Sequence, residues 1–541
     1  MDIRTSLPVP VAAATSSQSD RVDVRPGRSV ILGLLGILYL LIVVWGLMSE
    51  GTWDDDCPTR YYNVANALEN PIQFVSLYNR PLFTLLYFLP IQLGREAVVF
   101  QTALFAVLAC YFIYLAARSL GIRNAFLAIP FTAFQAFYFP VAFNALTEPL
   151  ASLIIAMSVY FLSQKRYTPF VICGALLPLI RLELCLLLVL WASVLIHKGH
   201  WKKIPVLALP LLAWNFCGAL LDNFDWMWLA NQVFKNEENR YGHGTFWQYF
   251  QRYIYLTGPI IFYFFFIGVV KRAVDRKFDF LFAVFWVSFL TYVVFSWKLS
   301  IGNAAGFMRN LIPLSPLAAL FALEGFNCWI QVPRSRKEAI FVLVSSAGLI
   351  ALTVLFFSRK LLIHHIVGDE PEYVKLAFIL LLSLIYAYRV FFSNQGKAVP
   401  TTAIALITMT VQLTVAYTLI SEPPIRLSPE RDAMRQIAEW YAENEYQNRE
   451  TYVNHIWFFY LNDYDYHDQK FLRVTKENLA SAKEGALVVW ENHYSRRLAG
   501  DVPLTYFQKR PEFREKAAIV TPDNRFAAVV FELETPDNQN Q

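Results

Sequence analysis

Charge is what this chain has least of. Only 16% of its 541 residues are Asp, Glu, Lys or Arg, against roughly 25% in an average soluble domain. With a mean hydropathy of +0.38, that shortage excludes an ordinary water-soluble enzyme. Cysteine is sparse as well. The six residues Cys57, Cys110, Cys173, Cys185, Cys217 and Cys328 are scattered, and all but Cys57 lie in or at the end of apolar runs. Their spacing suggests neither a disulfide framework nor a zinc site. No half-to-half repeat of the kind common in transporters is visible. The net charge of +5 is small, so its placement matters more than its size, and nucleic acid is not an expected partner.

What the chain has is apolar length. Runs at 29–48, 96–117, 124–142, 147–163, 168–181, 183–197, 204–221, 253–270, 278–296, 310–330, 338–357, 374–392 and 400–420 give about 13 crossings of a hydrocarbon core about 30 Å thick. The expectation is a polytopic α-helical membrane protein. Residues 1–28 read as a cytoplasmic disordered tail. No small-residue cleavage pattern follows the run at 29–48, so that run reads as a retained signal anchor. With the N-terminus inside, the connections at 118–123, 165–166, 198–203, 271–277, 334–337 and 394–397 are cytoplasmic, and nearly all are short and basic. The opposite side receives the long loops 49–95 and 222–252 and the tail from 421. Residues 168–197 are read as two short arms turning at Arg181-Leu182-Glu183, because a single helix would invert every later loop. The predicted location is an inner (plasma) membrane.

From 421 to 541 the composition turns polar. A helical stretch near 432–448 and strand-like pieces in "TYVNHIWFFY", "ALVVW" and "FAAVVFELE" suit a small α/β domain outside the cytoplasm.

The charged residues that do exist converge on the outer loops. Asp54, Asp55 and Asp56 lie a few residues beyond the first apolar run, with Arg60 and Tyr61 just after, and Arg80 lies near the start of the short segment 79–90. Glu148 heads a helix in "NALTEP"; Arg181 and Glu183 occupy an outer turn set below the surface; Lys235, Arg240 and His243 lie in the long loop; Arg309 precedes a late helix. Carboxylates can serve as a base or as metal ligands, and guanidiniums can clamp phosphate. The plainer readings stay open. The three Asp could cap the helix near Pro58, Arg181 and Glu183 could be a structural pair, Arg309 an interface anchor, and the loop cations a solvated face.

In this order the motifs resemble those of the GT-C glycosyltransferases, membrane enzymes that take sugars from polyprenyl-phosphate donors. The carriers are "WDDDCPTRYYNVANAL", "RPL" at 80–82, "LTEPL" around Glu148 and the R-x-L-x-P-L-x-P element from Arg309 to Pro316. The pattern is most similar to bacterial family-39 and aminoarabinose-transferase-like members. Two features depart from the family. Three Asp stand where many members carry an Asp-Glu pair, and Arg80 replaces the usual first proline of "PPL". The resemblance implies an inverting transferase with a thirteen-helix GT-C-like domain over 29–420. An Asp of the first loop, Asp55 first among the three, would be general base, with Glu148 facing it. It implies substrate contacts from Arg60, Tyr61, Arg80, Arg181, Glu183, Lys235, Arg240, His243 and Arg309. Asp55 and Glu148 would hold Mg²⁺ or Mn²⁺ if an ion takes part. Expected partners are a polyprenyl-phosphate sugar, membrane lipid and a glycan, lipid or protein acceptor. A lipid or sugar transporter and an O-antigen-ligase-like enzyme are the rival readings.

Overall fold

The structure, a computed structural model, describes residues 25–234, 244–299, 307–331, 335–358, 372–392 and 424–534 apart from 498–500, with isolated positions between 404 and 412. Among the described residues seven helices are long and apolar enough to cross a membrane: Arg28–Met48, Arg95–Ser119, Trp201–Leu221, Phe280–Lys298, Met308–Ile330, Arg336–Leu355 and Val374–Phe391. Shorter apolar helices at Pro81–Leu93, Thr147–Ser163, Tyr167–Leu179 and Leu182–His197 fill the space between them. The multi-span helical architecture is therefore present, although not as thirteen uniform rods. The last expected crossing, 400–420, lies mostly outside the described residues.

Two departures have clear causes. The run at 124–142 is broken into Ala125–Leu127, Ala128–Ala133 and Tyr138–Val141, because Pro130 and Pro140 interrupt it. Its freed polar groups are met internally: Gln135 donates to the carbonyls of Phe131 and Ser315 at 3.0 and 2.8 Å. The run at 168–197 turns back on itself at Arg181, stacking Trp191 on Phe170 with ring centroids 5.5 Å apart. Gly174 leaves room for that indole; a Cβ there would meet it at 2.3 Å.

Apolar helices gain little hydrophobic energy by touching one another in lipid, so close van der Waals packing must hold them together. The crossing of Pro259–Val274 with Ser315–Ile330 shows how. A Cβ on Gly268 would lie 1.8 Å from the Phe321 carbonyl oxygen, and one on Gly325 would lie 1.9 Å from that of Phe264. Each glycine admits the other helix's backbone. Gly268→Leu is expected to leave no monodisperse protein after detergent extraction, as read by fluorescence-detected size exclusion. Gly33→Leu, at a position with nothing within 4 Å, should elute as wild type.

The C-terminal region is a five-stranded sheet of order β2-β1-β3-β5-β4, with β1 Thr451–Val453, β2 Phe471–Leu472, β3 Leu487–Glu491, β4 Phe513–Val520 and β5 Ala527–Leu533. β1 runs parallel to β2 and β3, while β5 is antiparallel to β3 and β4. Every residue of β3 is buried, as a central strand covered on both faces requires. The helix Pro429–Glu443 starts at Ser428, whose hydroxyl accepts the Arg431 N–H. It covers one face of the sheet with Met434, Ile437 and Tyr441. The strand expected across 451–460 ends at Val453 instead. His455 accepts the Trp457 N–H and opens the helix Ile456–Tyr460, so its aromatic residues pack as a helix.

This domain is joined to the start of the first loop. The Glu50 N–H donates to the Ile425 carbonyl at 3.0 Å, and the Ile425 N–H donates to Ser49 Oγ at 2.9 Å. Farther along, Arg95 lies 3.9 Å over the Tyr460 ring and pairs with Asp463 at 2.5 Å.

Candidate active site

The acidic turn is built by its own backbone needs. Asp54 Oδ1 accepts the Asp56 N–H at 3.2 Å, and the Trp53 N–H donates to Asn144 Oδ1 at 2.9 Å. The helix Asp56–Ala65 then begins with Pro58 in its first turn. Asp54 thus braces the turn that leads into the helix with one oxygen, and its other oxygen meets Arg309.

Arg309 gives Nη1 to Asp54 Oδ2 and Nη2 to Asp56 Oδ2, and its Nε lies 3.9 Å from Glu148 Oε1. Glu148, 3% exposed, in turn accepts Arg181 Nη1 at 2.7 Å. Arg181 also donates Nε to Glu183 at 2.9 Å and Nη2 to Asn310 Oδ1 at 2.7 Å. The Tyr292 hydroxyl reaches Glu183 Oε1 at 3.2 Å, and Arg80 Nη2 stands 3.7 Å from Glu183 Oε2. Arg80 itself sits at φ +73°, a left-handed geometry that a bulky residue adopts only when its surroundings hold it there. At the other end Arg60 donates to the Tyr78 carbonyl at 2.6 Å, and the Tyr78 hydroxyl donates to Asp56 Oδ1 at 2.7 Å.

Residues from five separated segments thus alternate carboxylate and guanidinium in one chain, at one end of the helical layer. An ion network taken out of water is an expensive way to gain stability, and charges within a membrane domain point to function first. The Nε atoms of Arg60 and Arg309 are buried with no hydrogen-bond partner among the described residues. They are donors that an acceptor-rich anion could satisfy.

Electrostatics separates the two carboxylates that share Arg309. Burial raises both and Arg309 lowers both. Asp56 has in addition the nearby Arg60 and the Tyr78 hydroxyl, which hold it down at about 2. Asp54 has Asp56 and Glu148 as like charges and is pushed up to about 6. Two acids with one cation between them, one permanently ionised and one poised near neutrality, are suited to different roles.

Asp55 faces the other way. It accepts Trp457 Nε1 at 2.6 Å, Arg431 Nη2 at 3.2 Å and the Tyr494 hydroxyl. Arg431 also lies 4.2 Å over the Trp457 ring and donates to the Thr52 carbonyl at 2.7 Å. Asp55 and Glu148, the pair expected to share an ion, are therefore engaged on different partners. It is Asp54, not Asp55, that faces Glu148 across Arg309. Tyr61 is likewise turned to the C-terminal domain, in edge contact with Tyr62 and Tyr460. Arg60, Arg80, Arg181, Glu183 and Arg309 do come together with Glu148. Lys235, Arg240 and His243 lie outside the described residues. Sequence reading missed Asn310, Tyr78 and Tyr292, whose types carry no signal of their own. It also missed Arg431, Trp457 and Tyr494, which lie 376 to 439 residues beyond Asp55.

No protein-family model matches the chain, and no curated protein matches it in sequence. Its structure is similar to the crystal structure of ArnT from Cupriavidus metallidurans bound to undecaprenyl phosphate, with a TM-score of 0.57 and 14% identity, over 93% of this chain and 98% of that one. At that identity the likeness is one of fold: this is a multi-span helical membrane protein with the ArnT-like fold, including the small mixed sheet at its C-terminal end.

Proposed function

We propose that the chain is a membrane glycosyltransferase that moves a sugar from a polyprenyl-phosphate donor to a hydroxyl-bearing acceptor with inversion at the anomeric carbon. The observation that carries this reading is Arg309 held between Asp54, Asp56 and Glu148. Carboxylates that could take a proton lie against a guanidinium that could hold a phosphate oxygen. The undecaprenyl phosphate in the similar ArnT structure supports a donor of that class.

In this mechanism Asp54 takes the proton of the acceptor hydroxyl while its oxygen attacks the anomeric carbon. The bond to the lipid phosphate breaks on the opposite face, and the leaving phosphate keeps the bonding electrons. Negative charge grows on that phosphate, where Arg309, Arg181 and Arg80 place fixed positive charge. Glu148 and Glu183 hold Arg181 in orientation through its Nη1 and Nε. Asp56, ionised throughout, keeps Arg309 in place. Nearby, a cavity of about 240 Å³ is lined by Phe250, Tyr253, Phe265, Phe285, Trp286 and Phe289. It offers apolar surface suited to a prenyl chain. On the helix that contributes Phe250, the Tyr249 hydroxyl donates to the Phe307 carbonyl at 3.4 Å, two residues before Arg309. The short basic loops support an N-terminus in the cytoplasm, with this site and the C-terminal domain on the outside.

A base must be ionised to act, so transfer is expected to rise with pH through about 6 and to fall away below it. A pH–rate profile at saturating donor, flat from pH 4 to 8, would remove Asp54 from that role. The broader reading is tested with membranes containing the chain and polyprenyl-phosphate sugars radiolabelled in the sugar. Label passing to an acceptor supports a transferase. Facilitated flux of the lipid without transfer, for every donor tried, supports a transporter.

A further inference from the structure

The C-terminal domain carries a second cluster that the transfer reaction does not use. Glu430, His455 and His493 come from three different elements, yet their ligating atoms all lie within 4.8 Å of one another. His455 Nε2 is 2.9 Å and His493 Nδ1 is 2.6 Å from the same Glu430 oxygen, Oε1. We infer that these three residues form a binding site for one divalent transition metal of the zinc class, placed so that the ion fastens the domain to the acidic turn.

Position in the fold supports a ligand here. β1 and β3 are adjacent and parallel, and His455 and His493 each stand two residues beyond a strand end, at Val453 and Glu491. The crevice beyond the carboxyl ends of parallel strands is where α/β sheets bind ligands. Glu430 faces them from the first turn of the helix Pro429–Glu443.

The backbone around His493 is fixed. Glu491, fully buried, accepts the N–H groups of His493, Tyr494 and Ser495 and the Ser495 hydroxyl. The His455 side chain is wholly buried, whereas those of Glu430 and His493 are 31% and 34% exposed. One side of the cluster therefore stays open for a fourth ligand such as water.

The donor set selects the metal. Two imidazoles and one carboxylate suit zinc and its neighbours, whereas Mg²⁺ and Ca²⁺ want oxygen ligands. Ligand atoms around a tetrahedral ion at about 2.0–2.1 Å are roughly 3.3 Å apart, so the two short separations need open by less than about 1 Å. The competing state is metal-free, with both imidazoles donating to Oε1. Binding at His455 Nε2 moves the ring proton to Nδ1 and gives up the long 3.4 Å contact from the Trp457 N–H.

The consequence lies next door. The Tyr494 ring stacks on His493 with centroids 4.2 Å apart and donates its hydroxyl to Asp55. Arg431, following Glu430, donates to Asp55 and to the Thr52 carbonyl. An ion at the cluster would lock both arms of that clasp. The cysteine spacing carries no hint of this site because none of its ligands is a cysteine.

The test uses tag-free, full-length protein in detergent, stripped with a chelator, reloaded with Zn²⁺ or Co²⁺ and desalted. Its readout is metal content, which does not depend on whether the chain transfers sugar. Wild type and Asp55→Asn should each retain about one zinc per chain, and His455→Gln and His493→Gln should retain none. The cobalt form should show the visible bands of a four-coordinate ion. If a variant does not fold, wild type alone decides the matter. Zn²⁺ should slow diethylpyrocarbonate modification of His493, followed by peptide mass spectrometry, at least tenfold. Wild type without bound zinc, zinc kept by both folded His variants, or modification of His493 unchanged by zinc would overturn the site.

Discussion

Asp54→Asn is expected to lower sugar transfer by about 10²–10⁴-fold, the usual worth of a positioned general base, while leaving a folded, membrane-inserted protein. Asparagine keeps the side-chain oxygen that accepts the Asp56 N–H, so the turn into the helix Asp56–Ala65 survives. What goes is the ability to take a proton. The donor should still bind, because Arg309 keeps Asp56 and Glu148 as neighbours; the loss should therefore appear in kcat with KM little changed. Residual transfer in Asp54→Asn should also lack the rise through about pH 6 expected of wild type. Initial rates over a pH series for the two proteins measure both effects. A loss confined to KM would assign Asp54 to binding.

Arg181→Met is expected to destabilise the protein by about 3–5 kcal/mol, the range found when one member of a buried ion pair is removed. The side chains of Arg181 and Glu148 are 9% and 3% exposed. Methionine leaves Glu148 without its 2.7 Å partner; among the described residues it keeps the Thr147 hydroxyl at 3.3 Å and, as its cation, the more distant Arg309 at 3.9 Å. The substitution also removes the 2.7 Å donor to the Asn310 oxygen and the 2.9 Å donor to Glu183. Adding Glu148→Gln should restore part of the lost stability, since the uncompensated buried charge goes with it. The check is the unfolding midpoint in detergent for both single variants and the pair. Strict additivity of the two losses would show that the charges are not coupled. Activity should not return in the double variant, because the cation proposed to face the phosphate is still missing.

Much of this arrangement was legible in the chain because hydropathy and charge act locally. Apolar runs mark helices, and short basic connections alternate with the loops that carry Asp54, Glu148, Arg181 and Arg309. The turn at Arg181 was readable from one constraint, since a single helix over 168–197 would bury two charges and reverse the side of every loop beyond it. The division of labour among the three aspartates was not readable. Adjacent residues of one type look alike in sequence, and what separates them is which partners reach each side chain. Asp54 and Asp56 meet Arg309, more than 250 residues on. Asp55 meets Trp457 and Tyr494, 402 and 439 residues on. The strand expected over 451–460 fails for a related reason. Its aromatic residues favour a strand, but a cap from His455 and burial beneath the helix Pro429–Glu443 decide for a helix. Pro130 and Pro140, by contrast, were visible signals, and they account for the broken crossing at 124–142.

The most direct measurement compares transfer from a radiolabelled polyprenyl-phosphate sugar in wild type, Asp54→Asn and Asp55→Asn at equal amounts of folded protein. The expected result is transfer by wild type, transfer within about tenfold of it by Asp55→Asn, and loss of at least 100-fold in Asp54→Asn. Near-wild-type transfer by Asp54→Asn, or abolition by Asp55→Asn alone, would contradict the assignment of the reacting groups to the Arg309 side of the acidic turn.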